Sequence, residues 1–197
     1  MLPFIYLILF ILISGCSSTR NTNIDSDLFT ALKLNIDENY SCSGKGKIIS
    51  TDYNTLSFKY TSKKDSSFIQ FLDPLGRKAL LMWVTPNFII VRNLIENKQY
   101  DDLELKKFIP MMNLIKPNDL IKFIWGERPK YDKRNKLIPL EIRKNSKLSF
   151  EKGVKSKYNI ASYENKVLDQ IVKIQIKTRN FSTEKINLNK YWKLLKY

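Results

Sequence analysis

Apolar residues recur with two different periods along the chain, and the first of them is helical. The segment that opens at Asp25 begins with capping residues and then places Leu28, Phe29, Leu32 and Ile36 at helical spacing. We expect one amphipathic helix here.

After this helix the period changes to two, which is typical of half-buried antiparallel strands. Leu56, Phe58 and Tyr60 alternate with polar residues, and short runs of the same kind occupy 47–49 and 67–72. The pattern predicts a series of strands that bury one face each.

Two further runs, 79–84 and 88–91, are apolar on both faces and are separated by the turn Thr85–Asn87. A strand of this kind needs cover on each side, or else one of its faces lines a cavity that accepts an apolar ligand. The first alternative is a packed core and the second is a binding site. The sequence leaves both open.

Two short helices interrupt the strands in the middle of the chain. The pattern predicts one over 102–109 and another that starts near Pro117 and ends at Trp125, before Gly126. Strand patterns then resume at 137–142, 148–150, 158–160, 171–177, 185–189 and 191–194. We therefore predict an α+β fold dominated by a long, curved antiparallel sheet, with helices available to plug its concave side.

One turn in this pattern has an unusual residue at its tip. In Asp73-Pro74-Leu75-Gly76, Pro74 fixes its own φ and Gly76 tolerates a positive φ, so a tight turn joins two strands. Because loops normally lie at the surface, Leu75 either folds back onto the sheet or projects into a partner or a membrane. Taken alone, the turn favours the folded-back arrangement.

The N-terminus is an uncharged apolar run from Leu2 to Ile13, followed by Ser-Gly-Cys16. It is shorter than the ~20 apolar residues of a spanning helix and has the length of a signal-peptide core. Its last four residues resemble the lipobox that the lipoprotein signal peptidase cuts. That resemblance implies a signal peptide over 1–15, a mature chain acylated at Cys16 and a polar tether over 16–24. The alternative is an uncleaved signal anchor.

The chain has a formal net charge of +15, none of which lies in the first fifteen residues. Such a charge favours anionic partners. An exported, acylated protein does not meet nucleic acid, and no nucleic-acid-binding motif is present, so we expect an anionic phospholipid surface instead. The alternative is that the lysines only keep the surface soluble.

The sequence contains two cysteines and no histidine. With Cys16 acylated, Cys42 has no partner, and we expect it to be an inert half-buried residue. The lack of histidine excludes histidine-dependent triads and the usual zinc hydrolase sites. We expect a protein that is not an enzyme and that binds no cofactor and no metal.

Several motifs follow one another in a recognisable order. They are the lipobox, the N-terminal helix, the strand start Gly44-Lys-Gly46, the Pro74-Leu-Gly76 turn, a short strand at 96–100, the helix end Trp125-Gly126 and a final strand pair that ends with Trp192. In this order they resemble the family of the outer-membrane lipoprotein receptor LolB. Between residues 131 and 167 the likeness is one of strand pattern only.

The resemblance implies a half-open antiparallel β-barrel over 25–197, with short helices over an apolar cavity. It implies that Pro74, Leu75 and Gly76 form a loop that inserts into the membrane. Ser17, after the acylated cysteine, permits sorting to the outer membrane. Our candidates for the cavity lining are Phe58, Phe71, Trp83, Ile90 and Trp125, and for each of them an ordinary core position is the alternative.

The function that the resemblance implies is non-covalent transfer. A lipid-anchored monomer on the periplasmic face of the outer membrane would accept acylated lipoproteins from a periplasmic carrier similar to LolA and insert them into that membrane. A rival is an envelope lipoprotein that binds lipid or glycolipid, or scaffolds a complex, on the same fold, because a fold does not fix a function. The lipobox argues against a soluble carrier, and no residue spacing supports a hydrolase.

Overall fold

The computed structural model describes residues 40–52, 55–131, 138–153 and 156–195. The predicted signal peptide (1–15), Cys16, the tether (16–24) and the N-terminal helix lie outside these ranges and stay predictions. The described residues belong to one compact unit.

Within the described residues, nine strands form one sheet in which every neighbouring pair is antiparallel. The strands are β1 (Ser41–Ser50), β2 (Leu56–Ser62), β3 (Ser67–Leu72), β4 (Lys78–Val84), β5 (Ile89–Asn93), β6 (Lys98–Gln99), β7 (Ser146–Lys152), β8 (Tyr158–Asn165) and β9 (Gln170–Ser182).

The order of strands across the sheet is β6-β5-β4-β3-β2-β1-β9-β8-β7. β6 and β7 are the two outer strands, so the sheet is not closed into a barrel, and it is consistent with a curved sheet. The predicted α+β class and the antiparallel sheet are confirmed.

The connections between strands lie at the two opposite ends of the strands, and we call these ends the upper and the lower edge of the sheet. The β1–β2, β3–β4, β5–β6 and β8–β9 connections share the upper edge. The β2–β3, β4–β5 and β7–β8 connections share the lower edge. The turn that contains Leu75 is therefore at the upper edge.

In the described part of the chain, four short α-helices accompany the sheet: α1 (Asp102–Phe108), α2 (Pro117–Trp125), α3 (Leu140–Asn145) and α4 (Asn189–Trp192). The same residues include the 3₁₀ helices Pro110–Asn113 and Lys193–Leu195. A capping box between Asp101 and Glu104 starts α1. Gly126 ends α2 with a φ of 84°, a conformation that favours glycine. Both helices predicted in this region are confirmed.

α1, α2 and the 3₁₀ helix Pro110–Asn113 cover one face of the sheet. A single apolar core joins inward residues of the strands, such as Phe71 and Met82, to helical residues such as Ile109, Phe123 and Ile124. We call this face the inner face. α2 is amphipathic: its apolar residues from Leu120 to Trp125 are buried in this core, whereas Asn118 and Lys122 are only half-buried.

The opposite face of the sheet carries a second, smaller apolar cluster. Leu81 and Trp83 of β4 pack there with Phe68 and with Leu188 and Leu195 of the C-terminal segment. The residues of β4 from Ala79 to Val84 are all buried. The strand that is apolar on both faces is therefore packed on both faces.

Two glycines of β1 allow the sheet to pack tightly. A Cβ atom on Gly44 would lie 2.0 Å from the carbonyl oxygen of Thr178, and one on Gly46 would lie 2.3 Å from Cζ of Phe58. The register of β1 against β9 also shifts between Lys45 and Gly46. The Gly-Lys-Gly motif is thus a site of close backbone approach.

Three of the predicted strands, at 137–142, 185–189 and 191–194, are wrong. Residues 140–145 form α3 rather than a strand, because Pro139 is favourable at a helix start and Glu141 and Arg143 lie at the ends that suit their charges. The predicted strands at 185–189 and 191–194 are also absent from the described residues, where 189–195 is helical.

Helical periodicity explains why residues 189–195 do not form strands. Leu188, Tyr191, Trp192 and Leu195 are spaced i, i+3, i+4 and i+7, and all four pack in the second cluster. The final strand pair of the LolB resemblance is therefore not present. Among the described residues, no helix combines the length and the apolar character needed to cross a bilayer.

Candidate functional site

The turn between β3 and β4 is held rigidly and presents a leucine to solvent. The Oδ1 atom of Asp73 accepts hydrogen bonds from the backbone N–H groups of Leu75 and Arg77, each at 2.9 Å. The guanidinium of Arg77 pairs with Oδ2 of Asp73 at 2.7 Å. Gly76 has a φ of 80°. Leu75 is 77% exposed and does not fold back onto the sheet.

A cavity of about 750 Å³ opens beside this turn. Its apolar wall is formed by Leu56, Ala79, Leu80, Tyr100 and Phe108, which come from β2, β4 and the region of α1. Leu80 stands opposite Phe71 in the β3–β4 register. Because the wall is continuous with the inner face of the sheet, it suits an elongated apolar ligand.

The cavity mouth lies at the upper edge. Four residues border it: Asp52, Pro74 and Ile95 lie in strand connections, and Gln170 is the first residue of β9. The side chains of Gln170 and Asp52 also form a hydrogen bond with each other. Pro74 places the exposed Leu75 directly beside the opening.

Charged side chains at this mouth neutralise one another. Lys98 forms ion pairs with Glu104 at 2.6 Å and with Glu96 at 3.1 Å. The hydrogen bonds that Lys98 donates to Glu104 and then to Glu96 raise the pKa of Lys98. The hydrogen bond from Lys98 in turn lowers the pKa of Glu104. Lys98 and Glu104 therefore stay charged at neutral pH.

The space between the sheet and the helices is almost filled. The cavity bounded by Phe58, Phe71, Ile109 and Phe123 measures only about 20 Å³, close to the volume that one water molecule requires. Phe58 and Phe71, two candidates for the lining, therefore lie in packed core on the inner face. The ring of Phe71 contacts that of Phe108, at 5.3 Å between centroids, which connects it to the wall of the open cavity.

The other three candidates lie elsewhere. Trp83 points to the opposite face of the sheet, where its ring lies 5.5 Å from that of Trp192. Ile90 is its partner across β4 and β5 and shares that face. Alternate residues of a strand face opposite sides, so the neighbour of Trp83 on the inner face is Met82. The five candidates do not line one cavity.

Trp125 lies at the lower edge, where it ties α2 to the β2–β3 connection. Its Nε1–H lies 2.9 Å from Oγ of Ser62 and 3.0 Å from the carbonyl oxygen of Lys63 and donates to both. Its ring packs 5.7 Å from that of Phe181. The helix end Trp125-Gly126 is thus an anchor of α2.

A half-buried arginine fastens the end of α2 from the other side. Arg179 donates hydrogen bonds to the carbonyl oxygens of Ile124 (2.7 Å), Phe123 (3.1 Å) and Tyr158 (3.0 Å), and to Oδ1 of Asn159 (2.6 Å). Burial lowers the pKa of Arg179. The guanidinium thus caps the carbonyl end of the helix, where a positive charge is favourable.

Cys42 lies next to this group and is completely buried, more deeply than expected from the sequence. Its Sγ atom is 3.9 Å from the hydroxyl of Tyr60, which donates to the carbonyl oxygen of Thr178. Burial raises the pKa of Cys42 to about 11 and also raises that of Tyr60. Both groups are therefore neutral at pH 7.

Sequence patterns did not single out Arg179 or the cavity residues Leu56, Leu80 and Phe108. Leu80 could have been found as the cross-strand neighbour of Phe71, whereas no periodicity marks Arg179. In the part of the chain that the structure describes, no group of three or more His, Cys, Asp or Glu side chains is arranged to hold a metal ion.

No protein-family profile matches the chain, and no curated protein matches it. A solved structure of a DUF1329 family protein from Desulfovibrio piger ATCC 29098 is similar, with a TM-score of 0.49 and 16% identity. The match covers 86% of this chain and 97% of that chain. A likeness at this TM-score carries no argument for the function of the chain.

Proposed function

We propose that this protein is a lipid-anchored receptor of the outer membrane that accepts acylated lipoproteins from a periplasmic carrier and inserts them into that membrane. The observation that supports this proposal is the position of Leu75. It is exposed at the tip of a rigid turn, and the adjacent Pro74 borders the mouth of a large apolar-walled cavity. Cys16 would supply the anchor.

The cavity has the properties that an acyl chain requires. Its volume of about 750 Å³ lies within the range of roughly 300–1,000 Å³ that is usual for small-ligand sites. Each methylene group that leaves water for an apolar wall contributes about 0.8 kcal/mol. The wall formed by Leu56, Leu80 and Phe108 would hold the chain without any covalent step.

Leu75 would act in the release of the chain. Burial of one leucine side chain in the membrane interface contributes roughly 1.5–3 kcal/mol. The hydrogen bonds from Leu75 and Arg77 to Asp73 keep the turn ordered before contact, so insertion requires little further ordering. The turn would bring the cavity mouth to the bilayer.

The direction of transfer would follow from differences in binding free energy. An acyl chain moves from the carrier to this cavity and then to the bilayer when each site binds it more tightly than the one before. The scheme needs no nucleotide, metal or nucleophile.

A two-stage transfer assay tests the proposal. A carrier loaded with labelled lipoprotein is mixed with the acyl-free chain (17–197), first without and then with liposomes. We expect the native chain to take the label and pass it to liposomes. The Leu75→Glu variant should take the label and fail to release it.

Phe88→Glu is the matched control, because Phe88 is also an exposed apolar residue, 47% accessible, but lies at the lower edge. It should behave like the native chain. If the native chain takes label from no carrier yet binds free fatty acid or phospholipid, the alternative of a lipid-binding or scaffolding envelope lipoprotein is favoured instead.

A further inference from the structure

Three turns at the upper edge are built in the same way, and each presents an aliphatic side chain to solvent. In the β5–β6 turn, Oδ1 of Asn93 accepts hydrogen bonds from the N–H groups of Ile95 (2.9 Å) and Glu96 (3.1 Å). This is the arrangement that Asp73 makes with Leu75 in the β3–β4 turn. In both turns the aliphatic residue comes two positions after the anchoring side chain.

The β8–β9 turn repeats the arrangement. Oδ1 of Asn165 accepts from the N–H groups of Val167 (3.0 Å) and Leu168 (3.1 Å). Asn93 and Asn165 are themselves buried, at 6% and 5% exposure. A buried amide that is committed to one turn conformation makes the exposure of the residue it holds a fixed feature of the fold.

The exposed residues of these turns are Leu75 (77%), Ile95 (73%), Val167 (70%) and Leu168 (67%), and we call them the aliphatic edge. The lower edge differs. Its described connections include the polar stretch 63–66, and the large apolar residues exposed near it are the aromatic Tyr40, Phe88 and Phe181, at 37–49%.

Charges in the three turns are balanced although the chain as a whole carries +15. Asp73 is paired with Arg77, and Glu96 with Lys98. The third turn contains one base and one acid, Lys166 and Asp169. Three charge-balanced turns with aliphatic tips suit the hydrocarbon boundary of a bilayer better than a charged protein partner, whose recognition depends on complementary potential.

The length of chain before β1 allows this edge to reach the membrane. β1 begins at the lower edge and has ten residues, so it spans about 33 Å. Of the 24 residues from Cys16 to Asn39, the twelve of the predicted helix would rise about 18 Å, and the other twelve can extend up to roughly 40 Å. An acylated Cys16 and the aliphatic edge can therefore contact the same bilayer.

We propose that the whole aliphatic edge, rather than Leu75 alone, is the surface that contacts the lipid bilayer, so that the cavity opens into the hydrocarbon boundary. This inference rests on the proposed function and extends it to two further turns. Ile95 both belongs to the edge and borders the cavity, which places the mouth next to the contact.

Depth measurements on the acylated full-length mature protein test the inference. The protein is purified from membranes and reconstituted in vesicles of phosphatidylethanolamine and phosphatidylglycerol. Single cysteines replace Leu75, Ile95, Val167 or, as the lower-edge control, Ser66, and carry an environment-sensitive fluorophore. Cys42 is buried and does not react. We expect nitroxide-bearing lipids to quench the first three labels and leave the label at 66 unquenched.

The outcomes separate this inference from the proposed function. Quenching at 75 without quenching at 95 and 167 overturns the inference and leaves the insertion turn in place. If no label at the upper edge is quenched, the result contradicts the membrane contact that both the inference and the proposed function require. Equal quenching at 66 also overturns the inference, because the protein would then lie on the membrane in another orientation.

A second variant gives an independent measure. Val167→Asp combined with Leu168→Asp, two exposed residues that do not line the cavity, should slow the release of label into liposomes by roughly tenfold or more, as expected for the loss of aliphatic groups that insert into the bilayer. Uptake from the carrier should not change. Ser66→Asp with Asn87→Asp is the matched control, and equal slowing by the control pair would contradict the role of the edge.

Discussion

Replacement of Arg179 tests whether the core that positions the cavity depends on the fastening of α2. The Arg179→Met change keeps a long side chain but removes all four hydrogen bonds that the guanidinium donates. The carbonyl oxygens of Phe123 and Ile124 at the end of α2 lose their donors, as does that of Tyr158 in β8.

The size of the effect follows from these contacts. A hydrogen bond to a charged group contributes about 1.5–3 kcal/mol to stability. Methionine also removes the cost of burying a charge, and the freed carbonyl oxygens regain some hydration. We therefore expect the free energy of unfolding to fall by about 2–4 kcal/mol, less than the sum of four bonds. The Tm should fall by roughly 5–15 °C.

Urea unfolding followed by circular dichroism measures this change. Arg128→Met is the matched control, because Arg128 is an exposed arginine three residues beyond the end of α2. It should alter the free energy of unfolding by less than about 0.5 kcal/mol. If Arg179→Met is as stable as Arg128→Met, the fastening of α2 by Arg179 does not contribute to stability and the reasoning fails.

Two further predictions concern the same core. Gly46→Ala should lower the free energy of unfolding by about 2–4 kcal/mol, because its Cβ would lie 2.3 Å from Cζ of Phe58 and 2.5 Å from a carbonyl oxygen. Gly76→Ala has open space around it and should cost only about 1 kcal/mol for its positive φ. If urea unfolding shows the same loss of unfolding free energy for Gly46→Ala and Gly76→Ala, the close packing around β1 is contradicted. The pKa of Cys42 rises from 9.0 in the unfolded chain to about 11 in the folded protein. The contribution of Cys42 to the free energy of unfolding is therefore intact below pH 9. It is then lost as the pH rises toward 11, by up to about 3 kcal/mol. Urea unfolding between pH 7 and 11 should show that the free energy of unfolding falls more steeply for the native chain than for Cys42→Ala. Parallel curves would refute the raised pKa of Cys42.

The sequence was sufficient to predict the local features of the site. Pro74 and Gly76 determine the turn, and the alternation around Phe58 places β2 correctly. The periodicity before Gly126 also identifies α2. Each of these predictions depends on residues that are close together in the chain.

Features that depend on distant residues could not be predicted. The exposure of Leu75 follows from the hydrogen bonds that Asp73 accepts within the turn. Only the fold shows that a cavity, and not a covering element, lies beside this turn. The face that Trp83 occupies depends on the register of β4, and one residue of shift exchanges the two faces. Its cover by Trp192 comes from more than a hundred residues later.

Asn93 and Asn165 illustrate the same limit. Each is an ordinary polar residue at the end of a strand in the sequence. Only the sheet order shows that their turns share an edge with the turn of Leu75. The C-terminal segment was mistaken for strands because apolar residues at Ile186 and Leu188 alternate, although the later spacing is helical.

The most direct test of the account is to locate the acyl chain of a lipoprotein that is bound to this protein. A lipoprotein with a photoreactive diazirine in its acyl chain is transferred from the carrier, irradiated, and the adducts are mapped by mass spectrometry. The account predicts adducts on Leu56, Leu80 and Phe108, the wall of the cavity beside Leu75. Adducts confined to the lower edge, or uptake of the lipoprotein with no adduct in the cavity, would contradict it.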